Sequence, residues 1–223
     1  MPLGPAHPAA VLPLQWLGLP LSALVVGAVA PDAPVYLPVG VSYSLTHSGA
    51  GLAVDAAIGL AVLWLWFALM RDAVVDLTPA LRRRLPARAR LTRRAWLLAP
   101  LAVAVGSGTH VLWDSTTHDW GFVVQELPFL REEHGPIPLY RWLQHACTVA
   151  GTALVAAYGV QWLRRQRIDP RPSTVRRPGF WLAAVPLAGL VAGVGLRDPN
   201  AGVGAAIIAL LAVAIGWRGA RTG

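Results

Sequence analysis

The sequence predicts an all-α fold, a polytopic transmembrane helical bundle of five spans preceded by an N-terminal re-entrant or spanning helical segment. Three observations carry this expectation. The chain of 223 residues is 55% hydrophobic and only 13% charged, with a mean hydropathy of +0.52, a composition that suits lipid better than water. Five apolar runs, roughly 51–70, 95–113, 145–163, 179–196 and 200–217, are each long enough to cross a hydrocarbon core of about 30 Å at about 1.5 Å per residue. All nineteen positive residues are Arg, and they cluster between those runs.

The opening segment carries no Arg or Lys before Arg71, so the basic start of a secretory signal is missing and residues 1–30 are expected to be retained. A straight helix from His7 to Asp32 would measure about 37 Å. Pro13 and the Gly18-Leu19-Pro20 step argue for two short helices folded as a hairpin instead. The hairpin would return His7 to the neighbourhood of Asp32. A single crossing is the alternative.

The first span, 51–70, is followed by a loop, 71–94, holding eight Arg, and the third ends at a second basic loop, 164–178, holding six. Arg218 and Arg221 follow the last run. By the positive-inside rule, these segments are expected on the cytoplasmic side of a multi-pass cell-membrane protein, with loop 71–94 against anionic membrane lipids. The five spans then alternate without contradiction. Loops 31–50, 114–144 and 197–200 fall on the opposite side, with seven of the eleven acidic residues. The net charge of +8 is therefore topological, and nucleic acid is excluded as a partner. Trp96, Trp113, Trp142, Trp162, Trp181 and Trp217 mark span ends as an interfacial belt. The tight turn Arg197-Asp198-Pro199-Asn200 makes the last two spans an antiparallel hairpin, with Gly189 and Gly193 as a packing face. Two parts are expected: a metal-site membrane helical domain over 1–165, and a C-terminal transmembrane hairpin with basic linker and tail over 166–223. One cysteine, Cys147, rules out an intrachain disulfide.

The chemistry concentrates outside the basic segments. His110, Asp114 and His118 recur every four residues and stack on one helix face. An imidazole–carboxylate–imidazole row at a membrane edge has the donors for a divalent ion. His7, Asp32 and His47 lie at the ends of other apolar runs. With the hairpin, all six reach helix mouths on one side of the membrane and suit zinc or a similar borderline ion, alone or as a two-metal cluster. Plainer roles exist for each: Asp32 as a turn cap, His47 beside an N-cap, His7 solvated, the row merely structural. Asp55, two turns from His47, is a candidate hydrogen-bond partner for a ligand imidazole or an interior carboxylate. His134 reads as a solvated loop residue, and the face of His145 is open.

At these residues the chain resembles an uncharacterised bacterial membrane family carrying a domain of unknown function. The resemblance rests on His7-Pro8-Ala9-Ala10-Val11-Leu12-Pro13-Leu14, Ala30-Pro31-Asp32, Thr46-His47-Ser48, Gly108 to His118, and Pro138-Leu139-Tyr140-Arg141-Trp142-Leu143-Gln144. It covers residues 1–165. That family is similar to the membrane-bound metal-dependent hydrolases, and remotely to zinc-dependent phospholipases C and zinc nucleases. The resemblance implies His7, Asp32, His47, His110 and Asp114 as metal ligands, with a carboxylate, Asp32 or Asp114, helping to deprotonate water. His118 falls where those enzymes carry a further His. Their His-xxx-Glu pair has no counterpart in Gln144-His145-Ala146-Cys147-Thr148-Val149. The expected function is a metal-dependent hydrolase acting on a phosphodiester or lipid-like substrate at the extracytoplasmic face. A non-catalytic metal-binding membrane protein is the rival. A transporter is a third reading, disfavoured because the polar groups lie at helix ends and no inverted repeat is visible.

Overall fold

A computed structural model describes residues 4–222. Among them the chain is helical without a strand; the one β-bridge joins Glu133 to Pro138. Five helices are long and apolar enough to cross a membrane, Gly49–Leu77, Arg93–Glu126, Leu139–Arg164, Pro178–Gly195 and Pro199–Ala220, which identifies a multi-pass membrane protein by length and composition. Leu97, Val149 and Leu190 on these helices are more than 60% exposed, as lipid-facing side chains are.

The N-terminal segment turns back on itself. A 3₁₀ turn Gly4–Ala6, α1 (Pro8–Val11) and a second 3₁₀ stretch Leu12–Leu17 end at Gly18, whose φ of 67° closes the helix in the left-handed region that glycine enters without steric cost. After Pro20, α2 (Leu21–Gly27) runs back to a 3₁₀ turn, Ala30–Asp32. Pro13 and Pro20, which cannot donate in a helical ladder, break the run into short pieces as expected. Two more short helices follow, α3 (Ala33–Tyr36) and α4 (Tyr43–Thr46). Ser48 then caps the first span by accepting the Gly51 N–H at 3.1 Å. That span is α5 (Leu52–Leu65), a π-turn at Trp66–Met70 and α6 (Arg71–Leu77), with α7 (Pro79–Arg82) after it. The others are α8 (Arg93–Thr117), leading into α9 (Phe122–Glu126), α10 (Leu139–Arg164), α11 (Pro178–Gly195) and α12 (Pro199–Thr222).

Two compact units form, each from three stretches of chain: Met1–Ala33, Gly40–Ala61 and Arg93–Val160 make the first, and Pro34–Val39, Val62–Thr92 and Gln161–Gly223 the second. In the first, α2 and α8 touch backbone to backbone. A Cβ on Gly27 would collide with the Val103 carbonyl, and one on Gly106 with the Leu24 carbonyl. Small residues at such a crossing are how helices gain close packing where lipid removes the hydrophobic drive.

The second unit packs Ala73, Leu77, Val213, Ala214 and Trp217 together, and its α11–α12 hairpin meets at Gly189 and Gly202. Buried Asp76 is its polar knot, accepting from Ser173 Oγ at 3.1 Å, Thr174 Oγ1 at 2.7 Å, the Thr174 N–H, and Trp217 Nε1 at 2.8 Å. Removing the shared acceptor strands several donors at once. Asp76→Ala is therefore expected to destabilise by about 2–4 kcal/mol, read as a lower melting temperature in detergent, with Asp76→Asn falling between.

Candidate metal centre

The site lies wholly within the first unit and is assembled from four separate stretches of sequence. Helix α8 supplies two donors from one face, because His110 and Asp114 are one turn apart. The close α2–α8 crossing brings the Ala28 carbonyl within 2.8 Å of His110 Nδ1. Asp32 follows four residues on. Thr46 Oγ1 donates to the Pro31 carbonyl at 2.8 Å, which ties the Asp32 turn to α4 and so to His47. His47 Nδ1 lies 3.0 Å from the Tyr43 carbonyl, one turn back, and its ring stacks on Tyr43 with centroids 3.8 Å apart.

These contacts fix the protonation pattern. Both Nδ1 atoms face carbonyl oxygens, so both must carry hydrogen, and each neutral ring then turns a lone pair outward from Nε2. The two Nε2 atoms are 3.2 Å apart. Two lone pairs at that distance repel unless a proton or a cation stands between them. Around that point, Asp32 Oδ1 is 3.7 Å from His47 Nε2 and 3.6 Å from His110 Nε2. Asp114 Oδ2 is 3.5 and 3.4 Å from the same two nitrogens. Donor atoms of Asp32, His47, His110 and Asp114 all lie within 4.8 Å of one another, and the four could hold a metal ion. Burial opposes charge on His47, but the Asp114 and Asp32 carboxylates outweigh it and raise its pKa to about 9. A proton therefore occupies this place at neutral pH when no ion does, and an entering ion must displace it.

Asp114 turns its other oxygen the opposite way. Oδ1 is 3.5 Å from His7 Nε2 and 3.6 Å from His118 Nδ1. His7 is 1% exposed, stacks on His110 with centroids 3.7 Å apart, and neither of its ring nitrogens has a hydrogen-bond partner; Asp114 Oδ1 has none either. Burial, then the neighbouring His110, pushes His7 down to about 4, leaving it a neutral imidazole. Buried polar atoms without partners are costly, and here two of them, His7 Nε2 and Asp114 Oδ1, lie 3.5 Å apart.

The hairpin thus does what the sequence predicted of it, since both His7 and Asp32 reach His110. The helix also persists far enough for His118, whose N–H still bonds the Asp114 carbonyl at 3.1 Å. His118 nevertheless stands outside the four-donor group: its Nε2 is 3.1 Å from Gln144 Nε2. Asp55 supports no imidazole; its Oδ2 accepts from Ser107 Oγ at 2.5 Å, and backbone carbonyls orient the rings instead. His134 is an exposed loop residue whose carbonyl accepts from Trp142 Nε1 at 2.8 Å. Sequence reasoning missed Tyr43, one turn before His47, and Trp120, stacked on His118 with centroids 5.1 Å apart. It also assigned no role to buried Gln144. An aromatic at i−4 from a candidate ligand was the available signal for Tyr43. None existed for Trp120, which reaches His118 and His47 only by a turn after α8.

A family model described as a domain of unknown function (DUF4184) matches residues 1–218. The chain belongs to the DUF4184 family. No curated protein and no solved structure matches it significantly. The match includes all six candidate ligands as well as the last two spans, which lie beyond the residues 1–165 that carried the resemblance.

Proposed function

We propose that this DUF4184 protein is an integral membrane, metal-dependent hydrolase acting on a phosphodiester or lipid-like substrate. Its metal ligands are Asp32, His47, His110 and Asp114, with His7 and His118 flanking them. One observation carries the reading: two carboxylates and two imidazoles from distant parts of the chain converge, with both imidazole lone pairs aimed inward. The spacing suits zinc. Tetrahedral donors at about 2.0–2.1 Å from an ion sit about 3.4 Å from each other, and the imidazole–imidazole and imidazole–carboxylate separations here run from 3.2 to 3.7 Å. The buried Asp114 Oδ1 and the unpartnered His7 ring offer donors for a second ion across the same carboxylate. His118, by contrast, keeps its hydrogen on Nδ1 towards Asp114 and accepts from the Gln144 amide at Nε2.

A bound divalent ion would supply Lewis acidity and water acidified towards neutrality. The chain's own contribution is to orient both imidazoles through backbone carbonyls, to exclude bulk water, and to present Asp32 and Asp114 as proton acceptors. The Arg-rich loops 71–94 and 164–178 argue for placing this end of the bundle at the extracytoplasmic face.

The rival reading, a metal site that only clamps helices, is favoured by the burial of all four donors, since structural ions have closed protein cages. Purified full-length protein in detergent decides between them. It is expected to carry stoichiometric metal and to cleave bis(p-nitrophenyl) phosphate or phospholipid, losing turnover on chelation and regaining it on reloading. Metal without turnover on either substrate, with only the melting temperature lowered by chelation, supports the clamp. Absence of metal overturns both.

A further inference from the structure

A cavity of about 310 Å³ opens beside the centre, lined by His118, Asp119, Tyr140, Arg141, Gln144 and His145. Its rear wall is shared with the metal site, because His118 faces Asp114 with one ring edge and Gln144 with the other. The sequence expected the third span at 145–163; the helix starts at Leu139 instead, directly after Pro138, which cannot extend a helix backwards but suits its beginning. Those extra turns place Tyr140, Arg141 and Gln144 on the helix and turn them to the cavity. Arg141 is one of three arginines outside the basic segments and tail, and the one that lines this space. Among the described residues it has no ion-pair partner, the arginine pairs being Arg71–Asp72 and Arg90–Asp72.

We infer that this cavity binds the phosphodiester group of the substrate, with Arg141 as its principal anchor and the scissile side directed past His118 towards the metal centre. The inference rests on the hydrolase reading and adds to it a residue and a charge state. A guanidinium fork matches two oxygens of a phosphate at once, and Tyr140 and His145 add donors beside it. Asp119 also lines the cavity, its Oδ1 accepting the Trp120 N–H at 2.9 Å. With one guanidinium and one carboxylate in its lining, the cavity suits a singly charged diester better than a doubly charged monoester or free phosphate, which the carboxylate repels. Trp120 and Trp142, chain neighbours of Asp119 and Arg141, are 43% and 44% exposed, as befits side chains at the depth of lipid headgroups. The shared chemistry is a phosphodiester monoanion, from a phospholipid or from a soluble ester.

The test is calorimetric titration of the full chain in detergent with diethyl phosphate, with water-soluble dihexanoyl phosphatidylglycerol and with inorganic phosphate, alongside metal analysis of each variant. Arg141→Gln is expected to weaken diester binding by at least about tenfold, with Arg141→Lys between it and wild type. Arg131→Gln, outside the cavity, should bind as wild type does, and metal content should be the same throughout. Tighter binding of the lipid than of diethyl phosphate assigns the source to the membrane; equal binding assigns it to soluble esters. The inference is overturned if Arg141→Gln binds both diesters as well as wild type, if wild type binds neither, or if inorganic phosphate binds more tightly than the diesters. Should Arg141-dependent binding persist in a protein that holds no metal, the cavity assignment stands and the metal reading falls.

Discussion

The His110→Ala/Asp114→Ala variant is expected to retain less than about one hundredth of the wild-type affinity for its metal. Loss of a residue that merely orients a ligand costs about 10–100-fold. Here two of four direct donors go together, one of them the carboxylate that meets both imidazole nitrogens of the cage and the flanking His7 and His118. Elemental analysis of detergent-purified protein provides the first readout and chelation the second. Wild type should melt lower after chelation, because Asp32 and Asp114 are left to face each other with only protons between them. The variant should melt at one temperature whether or not chelator is present. Equal metal content in the two proteins would remove the cage from consideration as a metal site.

The second large effect is expected from one methyl group. Gly106→Ala and Gly108→Ala are the same change two residues apart on α8, and an interior helical Gly→Ala ordinarily stabilises by about 0.5–1 kcal/mol. Gly108 has open space for the added carbon, so Gly108→Ala should show that gain. At Gly106 the carbon meets the Leu24 carbonyl and the Ala28 nitrogen, which are backbone atoms and cannot rotate aside. Helix α2 must withdraw, at a cost of about 1–3 kcal/mol for overpacking. The withdrawal also reaches the site, since the Ala28 carbonyl that orients His110 moves with α2 and Asp32 follows it in the chain. Gly106→Ala should therefore lower both melting temperature and metal affinity, while Gly108→Ala lowers neither. Parallel stabilisation by the two variants would show that the α2–α8 contact does not position the centre.

Much of the fold was legible because lipid imposes simple requirements. Apolar runs of sufficient length must be helical, since their backbone groups can be satisfied only internally, and the five spans appear where composition puts them. The ends were less legible. Leu139–Arg164 begins six residues before its apolar run, because Pro138 and not hydropathy starts the helix. Of the site, His110 and Asp114 could be read as neighbours from their spacing alone. His7, Asp32 and His47 could be proposed as companions only through the hairpin that Pro13, Gly18 and Pro20 suggested. Of the two readings open for Asp55, the structure shows the interior carboxylate, bonded to Ser107. The carbonyl that orients His110 lies one helix away and leaves no mark in composition or periodicity.

The amino-acid order alone determined the helical class, the number of spans and the juxtaposition of His110 and Asp114 on α8, for these follow from local rules: hydropathy, proline chemistry and the four-residue repeat of a helix. Only tertiary structure decided which donors share a point. The α2–α8 glycine contact sets His110 against Ala28, the Thr46–Pro31 hydrogen bond brings Asp32 to His47, and Asp114 then divides its two oxygens between separate groups of imidazoles. Distances of a few ångströms between residues up to about a hundred positions apart depend on how helices pack, and packing is fixed by backbone contacts that no local pattern encodes.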